Sequence, residues 1–392
     1  MTCGRPFLQP LSSTSEHLSD AMTATTPSRT DIFCRVVDNF GDAGVCWRLA
    51  QRFAALGIAP RLIIDRVDVL AKIAADVNPT AKCQTALGVE VVDWDAFAAA
   101  GEADGFAPAP LVIETFGCRL PEAYEGAMAS SAETGQAPFW INLDYLSAED
   151  WVETCHDVWG LHPTLGIRKL WFFPGFTDRT GGVMVEDDYA ARRAAFEAGN
   201  GREKLLRSLN ADPELPAFFV FCYPVNDLDA LARMLKNSPL RRNVLLAPGE
   251  AGDRLEAMLS DEKHLIVRRT PFVPQPQFDE ILWSADAGVV RGEDSFVRAQ
   301  LAALPFLWAT YPTEDLAHRI KLNAWLEKRA ADERARTANA LWVEDAADDA
   351  VMSAWLAAAD AGALNDDARR WAGRLIGRGD LARHIVARVL QG

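Results

Sequence analysis

The sequence predicts an α/β protein of two Rossmann-like domains that face a central cleft. Its 392 residues exceed what one hydrophobic core usually holds. Short apolar runs alternate with stretches of helical spacing, a pattern typical of parallel sheets covered by helices. The alternation pauses at a polar, Gly-containing stretch, Thr177–Gly182, and restarts near Phe218. We therefore expect one domain over residues 30–178 and a second over residues 184–364.

Compact, β-branched apolar runs predict the strands. In the first domain these runs are residues 31–37, 61–64, 89–92, 111–113, 139–143 and 169–173, and in the second they are 218–222, 243–247, 265–267 and 287–290. Helix-length stretches separate most of them, and charged helical sequence after the linker continues to about Asn210. Both sheets are therefore expected to be parallel.

The two ends of the chain differ from the domains. Residues 1–29 are rich in Ser, Thr and Pro and lack the basic and apolar regions of a secretory signal, so we expect a disordered or extended start. Met22 lies just before the first strand and is a candidate initiator. Residues 365–392 alternate Arg with apolar residues at helical spacing, which predicts one amphipathic helix that can cross back and brace the first domain.

Composition excludes several classes of partner. The net charge of −15 would repel a phosphate backbone, so nucleic acid is not an expected partner, whereas a basic protein surface would be attracted. No apolar run approaches the roughly 20 residues that span a bilayer, so no membrane anchor is expected. Seven scattered cysteines without a C-x-x-C pair fit reduced thiols in the cytoplasm. Adjacent Cys155 and His156 would point apart on a helix, so they do not indicate a zinc site.

The first candidate site is an acidic, Gly-containing string, residues 37–45, after the first predicted strand. Open α/β sheets bind ligands outside the carboxyl ends of their strands, so Asp38 and Asp42 should face the cleft. Gly41 and Gly44 allow close approach to a sugar or phosphate, although their spacing is not that of a dinucleotide fingerprint. The alternative is that Asp42 caps a helix beginning near residue 45 and Asp38 caps a turn.

The second candidate site is the string of residues 285–300, which again reads as strand, loop and helix. A helix N-terminus offers unpaired N–H groups and positive potential to a phosphate, and Arg291 would add a charge-assisted contact. A diphosphate held in this way does not need a metal ion. Asp294 or Ser295 could cap the helix instead, and we expect Glu293 to have a separate role.

A third string, residues 270–278, is a Pro-rich loop in which two aromatic residues flank amide side chains. A pyrimidine ring could stack on Phe272 and Phe278 and be read by Gln275, and Tyr223 could enter the same pocket. Ordinary core packing is the alternative explanation for the aromatic residues.

Three strings, in this order, resemble signatures of one family, the arginine rhamnosyltransferases that modify translation elongation factor P. The strings are residues 31–50, 271–275 and 290–300. Residues 113–117 and 143–149 are also similar to family segments, so the likeness extends from about residue 31 to about residue 325. Three long matches in order make the resemblance specific.

The resemblance implies a GT-B glycosyltransferase fold. It also implies transfer of rhamnose, with inversion, from dTDP-β-L-rhamnose to a guanidino nitrogen of one arginine of elongation factor P, and the diphosphate contacts described above make this transfer metal-independent. Carried over to this chain, it makes Asp42 the general base, Asp38 a second essential carboxylate, and Arg291 and Glu293 essential residues of the second domain. The substrate-binding residues that it implies are Asn39, Phe40, Gly41, Tyr223, Phe272, Gln275, Phe278, Asp294 and Ser295.

Three alternatives stay open at this point. Asp93-Trp-Asp95 follows a predicted strand and matches the D-x-D arrangement of metal-dependent glycosyltransferases, although Asp95 fits equally well as a helix N-cap. The chain could be another metal-independent GT-B enzyme, or a nucleotide-sugar epimerase, that acts on a small molecule. It could also be a non-catalytic protein that binds elongation factor P through its acidic surface.

Overall fold

The computed structural model describes residues 26–37 and 39–392. Most of the predicted N-terminal tail, with Met22, lies outside the described residues, and so does Asp38. The first strand already begins at Arg29.

The first domain is built on an eight-stranded sheet. Its strands are β1 (Arg29–Cys34), β2 (Ala59–Ile64), β3 (Cys83–Ala86), β4 (Val89–Asp93), β5 (Leu111–Thr115), β6 (Phe139–Leu143), β7 (Val158–Leu161) and β8 (Arg168–Phe172). They lie in the spatial order β3-β4-β2-β1-β5-β6-β8-β7. The prediction of a purely parallel sheet is wrong at both edges, because β3 and β7 pair antiparallel with their neighbours.

Helices cover this sheet because their apolar residues recur on one face. The helices are α1 (Asn39–Ala55), α2 (Val67–Ile73), α3 (Trp94–Asp104), α4 (Glu122–Glu133) and α5 (Trp151–Cys155). In α1, Cys46, Leu49, Ala50 and Phe53 are fully buried, and their spacing of three and four residues defines the stripe that packs on the sheet. This packing fixes α1 directly after central strand β1, with its N-terminus at the carboxyl edge of the sheet.

The second domain is built on a five-stranded parallel sheet in the order β11-β10-β9-β12-β13. Its strands are β9 (Ala217–Val220), β10 (Arg242–Leu246), β11 (Leu265–Arg269), β12 (Ala287–Arg291) and β13 (Phe306–Ala309). The remaining helices are α6 (Tyr189–Ala198), α7 (Gly201–Ser208), α8 (Leu228–Lys236), α9 (Glu250–Leu259), α10 (Gln275–Ser284), α11 (Asp294–Leu301), α12 (Ala317–Lys328), α13 (Glu333–Val343), α14 (Asp349–Asp360), α15 (Asn365–Arg378) and α16 (Leu381–Val389).

The C-terminal segment is two helices rather than the single helix that the sequence predicts. Gly379 adopts a left-handed backbone with φ of 93°, which ends α15, and the Asp380 side chain then caps α16 by accepting from the Arg383 N–H. Trp371 of α15 packs in the second domain, whereas Leu381 and Ile385 of α16 pack in the core of the first. The chain therefore crosses back between the domains at this break.

A buried network of ion pairs joins helix α1 to the second domain. Arg48, which is only 1% exposed, pairs with Glu186 and donates from Nη1 to Asp294 Oδ1 at 2.9 Å. Asp294 Oδ2 in turn accepts from Arg298 Nε at 3.0 Å and from Gln275 Nε2 at 2.9 Å. Arg48 and Asp294 thus connect the two domains directly below the cleft.

We expect Arg48→Met to lower the free energy of unfolding by about 3 to 5 kcal/mol, because it leaves buried carboxylates without one of their cations. Urea denaturation measures the change. Arg66→Met is the matched control, since both side chains of the Arg66–Asp68 ion pair are half exposed, and it should change the free energy of unfolding far less than Arg48→Met does. Equal losses in the two variants would contradict the structural importance of the network.

Candidate active site

A cavity that opens to solvent, with about 790 Å³ of space including its open mouth, lies between the two domains. Phe40, Gly41 and Gly44 of α1 form its first-domain wall. The residues predicted for the site that line this cavity are Phe40, Gly41, Tyr223, Phe272, Gln275, Phe278, Arg291, Glu293, Asp294 and Ser295. Strings far apart in the sequence therefore meet at one site, as the position of both loops at the carboxyl ends of parallel strands predicts.

Asp42 lies in the first turn of α1 and is 2% exposed. The prediction that the helix begins near residue 45 is wrong, because α1 already begins at Asn39, so Asp42 does not cap it. The Asp42 Oδ2 atom accepts a hydrogen bond of 2.7 Å from the Val37 N–H. The positive end of the helix also favours its negative charge. Asp38 and the side chain of Asn39 lie outside the described residues.

Glu293 lies immediately before α11 and reaches across the domain boundary. Its Oε2 atom accepts a hydrogen bond of 3.1 Å from the Leu146 N–H of the first domain. The pKa of the Glu293 carboxyl is raised to about 8, chiefly by burial and also by the negative charge of Asp42, against the opposing effects of the Leu146 N–H and Lys321. The Glu293 carboxyl is therefore mostly protonated at neutral pH, and it lies close enough to Asp42 for the charge of Asp42 to disfavour its ionisation.

Arg291 ends strand β12 with its guanidinium between two aromatic rings. Its central carbon lies 4.5 Å from the ring centroid of Phe221 and 4.5 Å from that of Tyr223. Cation–π contacts fix the plane of the guanidinium while its N–H donors remain able to bind an anion. Gly292 then turns the chain with φ of 66°, a conformation that favours glycine.

Helix α11 begins directly after this turn, with Ser295 in its first turn. The first N–H groups of a helix have no partner within the helix and carry positive potential. Together with Arg291 they form a site suited to a phosphate or diphosphate. Neither Asp294 nor Ser295 supplies a side-chain cap to this helix. Asp294 instead belongs to the ion network with Arg48 and Arg298.

Aromatic side chains and one amide form the remaining wall of the cavity. Phe272 packs across the domain boundary against Phe40, with ring centroids 5.6 Å apart. The amide of Gln275 is oriented by two acceptors, because Nε2 donates to Gly44 O at 3.1 Å and to Asp294 Oδ2 at 2.9 Å. Its Oε1 atom is buried and has no hydrogen-bond partner among the described residues. Gln275 therefore offers an acceptor, which suits the imide N–H of a thymine or uracil ring.

The D-x-D string has a structural role in the first domain. Asp93 caps α3 by accepting from the Ala96 N–H and pairs with Lys82 at 3.0 Å, so the expectation that Asp95 is the cap was wrong. Within residues 26–37 and 39–392, no group of three or more His, Cys, Asp or Glu side chains is arranged to hold a metal ion. In the same part of the chain, no helix is long and apolar enough to cross a membrane.

The local sequence did not reveal several residues of the site. Arg48, Glu186 and Leu146 each act through a partner in the other domain or the linker, so no local spacing marks them. One feature of the sequence does point to Arg48. It lies four residues after Gly44 and therefore on the same face of α1 as a residue of the cavity wall.

The model of the family "Elongation-Factor P (EF-P) rhamnosyltransferase EarP" matches residues 30–389. The chain belongs to this family. Two protein-arginine rhamnosyltransferases are similar to it over 91% of its length and 97% of theirs, one from Pseudomonas putida at 38% identity and one from Pseudomonas aeruginosa at 36%. The resemblance seen in the sequence is thus confirmed.

Solved structures confirm the fold. A structure that gives the basis for EarP-mediated arginine glycosylation of translation elongation factor EF-P has a TM-score of 0.58 and 29% identity, and the match covers 92% of this chain and 97% of that one. Os79 from O. sativa in complex with UDP has a TM-score of 0.51 at 12% identity and covers 92% of this chain and 99% of its own, which shows the shared fold alone. The EarP-family chain therefore has the predicted GT-B fold of two Rossmann-like domains.

We expect the free energy of unfolding of Glu293→Gln to increase relative to that of wild type as the pH rises from about 4.5 to about 8. The folded protein holds a proton on Glu293 in that range and the unfolded chain does not, so wild-type stability falls with rising pH. Glutamine does not titrate. The free energy of unfolding of Glu293→Gln minus that of wild type should grow by on the order of 1 to 3 kcal/mol between pH 5 and pH 8. Denaturant unfolding at each pH measures it.

The exposed Glu344, replaced by Gln, serves as the control, and its difference from wild type should stay constant over the same range. A Glu293→Gln difference that is flat, or that shrinks as the pH rises, would show that the Glu293 carboxyl is ionised in the folded protein.

Proposed function

We propose that this chain is an inverting, metal-independent protein-arginine rhamnosyltransferase. It moves rhamnose from dTDP-β-L-rhamnose to a guanidino nitrogen of one arginine of translation elongation factor P, in the cytoplasm. The observation that carries the proposal is a single interdomain cavity lined by the first turn of α1, by Arg291 and by Glu293 at the start of α11, with Asp42 on the same turn of α1 close enough for its charge to act on Glu293. Family membership supplies the transferred sugar and the acceptor.

The donor fits this site in one direction. The thymine ring stacks among Phe272, Phe278 and Tyr223, and its imide N–H donates to Oε1 of Gln275, the atom that lacks a partner. The diphosphate lies at the start of α11, where Ser295 and the helix N–H groups bind it beside Arg291. This orientation leaves the sugar near the Glu293 carboxyl and the first turn of α1.

The acceptor must lose a proton that it normally holds tightly. A free guanidinium has a pKa above about 12, so the nucleophilic nitrogen needs a base as it attacks. We assign this role to Asp42, whose carboxylate can align the guanidinium by paired hydrogen bonds and take its proton. The nitrogen forms a bond to the anomeric carbon from the face opposite the diphosphate, while the carbon–oxygen bond to dTDP breaks. A single displacement inverts the configuration.

Glu293 and Arg291 complete the chemistry. In the empty site the Glu293 carboxyl is mostly neutral, and an arriving guanidinium favours its ionised form because opposite charge lowers a carboxyl pKa. Glu293 then accepts from the acceptor while Leu146 holds it in place. Arg291 and the N–H groups of α11 neutralise the charge that develops on the leaving diphosphate. We retain Asp38 as a second essential carboxylate and Asn39, Phe40 and Gly41 as substrate contacts.

The direct test is intact-mass analysis of elongation factor P incubated with the chain and dTDP-rhamnose. We expect one deoxyhexose per molecule, which peptide mapping places on a single arginine. Unmodified elongation factor P, or a sugar on another residue type, would contradict the proposed function.

We expect Asp42→Asn to lower the rate of transfer by at least about 100-fold, because asparagine cannot take the proton. The affinity for dTDP-rhamnose, measured by calorimetry, should change less than about threefold, since Asp42 acts on the acceptor. Exposed Asp68, replaced by Asn, is the matched control and should transfer at the wild-type rate. Loss of donor binding in Asp42→Asn with little loss of turnover at saturating donor would contradict the base assignment.

We expect transfer to continue unchanged in excess EDTA, because Arg291 and the start of α11 supply the charge that a divalent cation would supply. The measurement is the initial rate with EDTA against the rate with added Mg²⁺ or Mn²⁺. An absolute requirement for either cation would contradict metal-independent transfer. It would favour Asp93 and Asp95 as metal ligands.

A further inference from the structure

Strand β5 ends in a turn whose backbone is strained. Phe116, the first residue after β5, has a left-handed backbone with φ of 56°, which costs free energy for a residue with a large side chain. Such a conformation persists only where the surroundings hold it. Here the Phe116 N–H donates to Leu143 O at 2.8 Å. Glu114, which is 2% exposed, accepts from the Arg119 N–H at 3.1 Å, so the turn is held at both ends.

The side chain of Phe116 supports the segment that follows the neighbouring strand, β6. Its ring stacks on that of Tyr145, with centroids 4.2 Å apart and planes 12° apart. Tyr145 lies in the segment of residues 144–146, which leaves the same edge of the sheet as Phe116 because β5 and β6 are parallel. The two residues belong to the family-like strings of residues 113–117 and 143–149, which have received no role in the site.

The 144–146 segment contacts the second domain twice. The Leu146 N–H donates to Glu293 Oε2 at 3.1 Å. The Tyr145 ring centroid lies 5.9 Å from Nζ of Lys321 in α12, within the range of a cation–π contact. The direction of the Leu146 N–H depends on the backbone of this segment, and the stack on Phe116 restricts that backbone through the Tyr145 side chain. An aromatic pair of the first domain therefore helps to fix a carboxyl of the second.

We propose that Phe116 and Tyr145 are positioning residues for Glu293. The stacked pair keeps the Leu146 N–H directed at the Glu293 carboxyl and so holds this carboxyl where the acceptor guanidinium arrives. Neither ring lines the cavity, and neither takes part in the chemistry. This inference rests on the proposed function, because it explains how Glu293 is placed for transfer.

The test replaces the stacked rings and measures transfer to elongation factor P. Phe116→Leu and Tyr145→Leu should each lower kcat about tenfold, since a misplaced group slows the reaction, whereas Tyr145→Phe keeps the stack and should stay within about twofold of wild type. The affinity for dTDP, measured by calorimetry, should be unchanged. Phe139→Leu is the matched control and should transfer at the wild-type rate. Phe139 is also half-buried against an aromatic ring of the first domain, but it begins β6, at the end away from the cavity.

The pH profile separates positioning from a general loss of structure. The Leu146 N–H and Lys321 favour the ionised Glu293 carboxyl. Asp42 and Asp294 disfavour it. Transfer requires the ionised form, so kcat/KM should rise with pH as the carboxyl ionises. A weaker hydrogen bond from Leu146 should move this rise to higher pH by about one unit in both leucine variants, and it should stay in place in the control.

Three outcomes would contradict the proposal. The first is a wild-type kcat in both leucine variants, and the second is a lowered kcat whose pH profile has not moved. The third is a Tyr145→Phe variant as slow as Tyr145→Leu, which would assign the role to the hydroxyl group.

A failure of the proposed function would be distinct from these outcomes. If wild type leaves elongation factor P unmodified, the role of the pair is still decided by unfolding. The free energy of unfolding should then fall further between about pH 5 and about pH 9 in Phe116→Leu than in wild type, because the folded variant holds the Glu293 proton to higher pH. An equal fall in the two proteins would show that the pair does not position Glu293.

Discussion

The site depends on one buried guanidinium. Arg48 projects from the first domain and pairs with Asp294 at the start of α11 and with Glu186, which precedes α6. A buried cation without both carboxylates would be costly, so the network restricts how the domains can sit against each other. Gln275 adds a further link between the domains, since its amide nitrogen donates hydrogen bonds to both Asp294 and Gly44 O. The helix that carries Asp42 and helix α11, the proposed diphosphate site, are thereby held at a fixed separation.

The consequence is a site whose acidic groups have different roles. Asp294 is neutralised within the network, and its arginine partners keep its pKa low despite burial. Glu293 is one residue away but faces the cavity, where the effect of burial outweighs that of Lys321 and leaves its carboxyl mostly neutral. Adjacent carboxyls thus differ in charge because their side chains point into different surroundings. In the proposed mechanism, this division leaves Asp42 as the carboxyl that meets a cationic acceptor.

The sequence predicts the parts of this arrangement that depend on patterns among neighbouring residues of the chain. The strings after β1 and β12 were each predicted to lie at the carboxyl end of a strand and to face the cleft, and residues of both strings line one cavity between the two sheets. The short antiparallel edge strands β3 and β7 were missed, since half-exposed strands of four residues carry little apolar pattern. The break at Gly379 was missed within a continuous helical pattern. Arg48 and Asp294, 246 residues apart, become partners only when both domains are folded.

The most direct test is a crystal structure of the chain with dTDP-β-L-rhamnose. The account predicts the thymine ring against Phe272 with its imide N–H on Gln275, the diphosphate at Arg291 and the start of α11, and the anomeric carbon between the Asp42 and Glu293 carboxyls. A donor bound with its base elsewhere, or with its anomeric carbon turned away from Asp42, would contradict it.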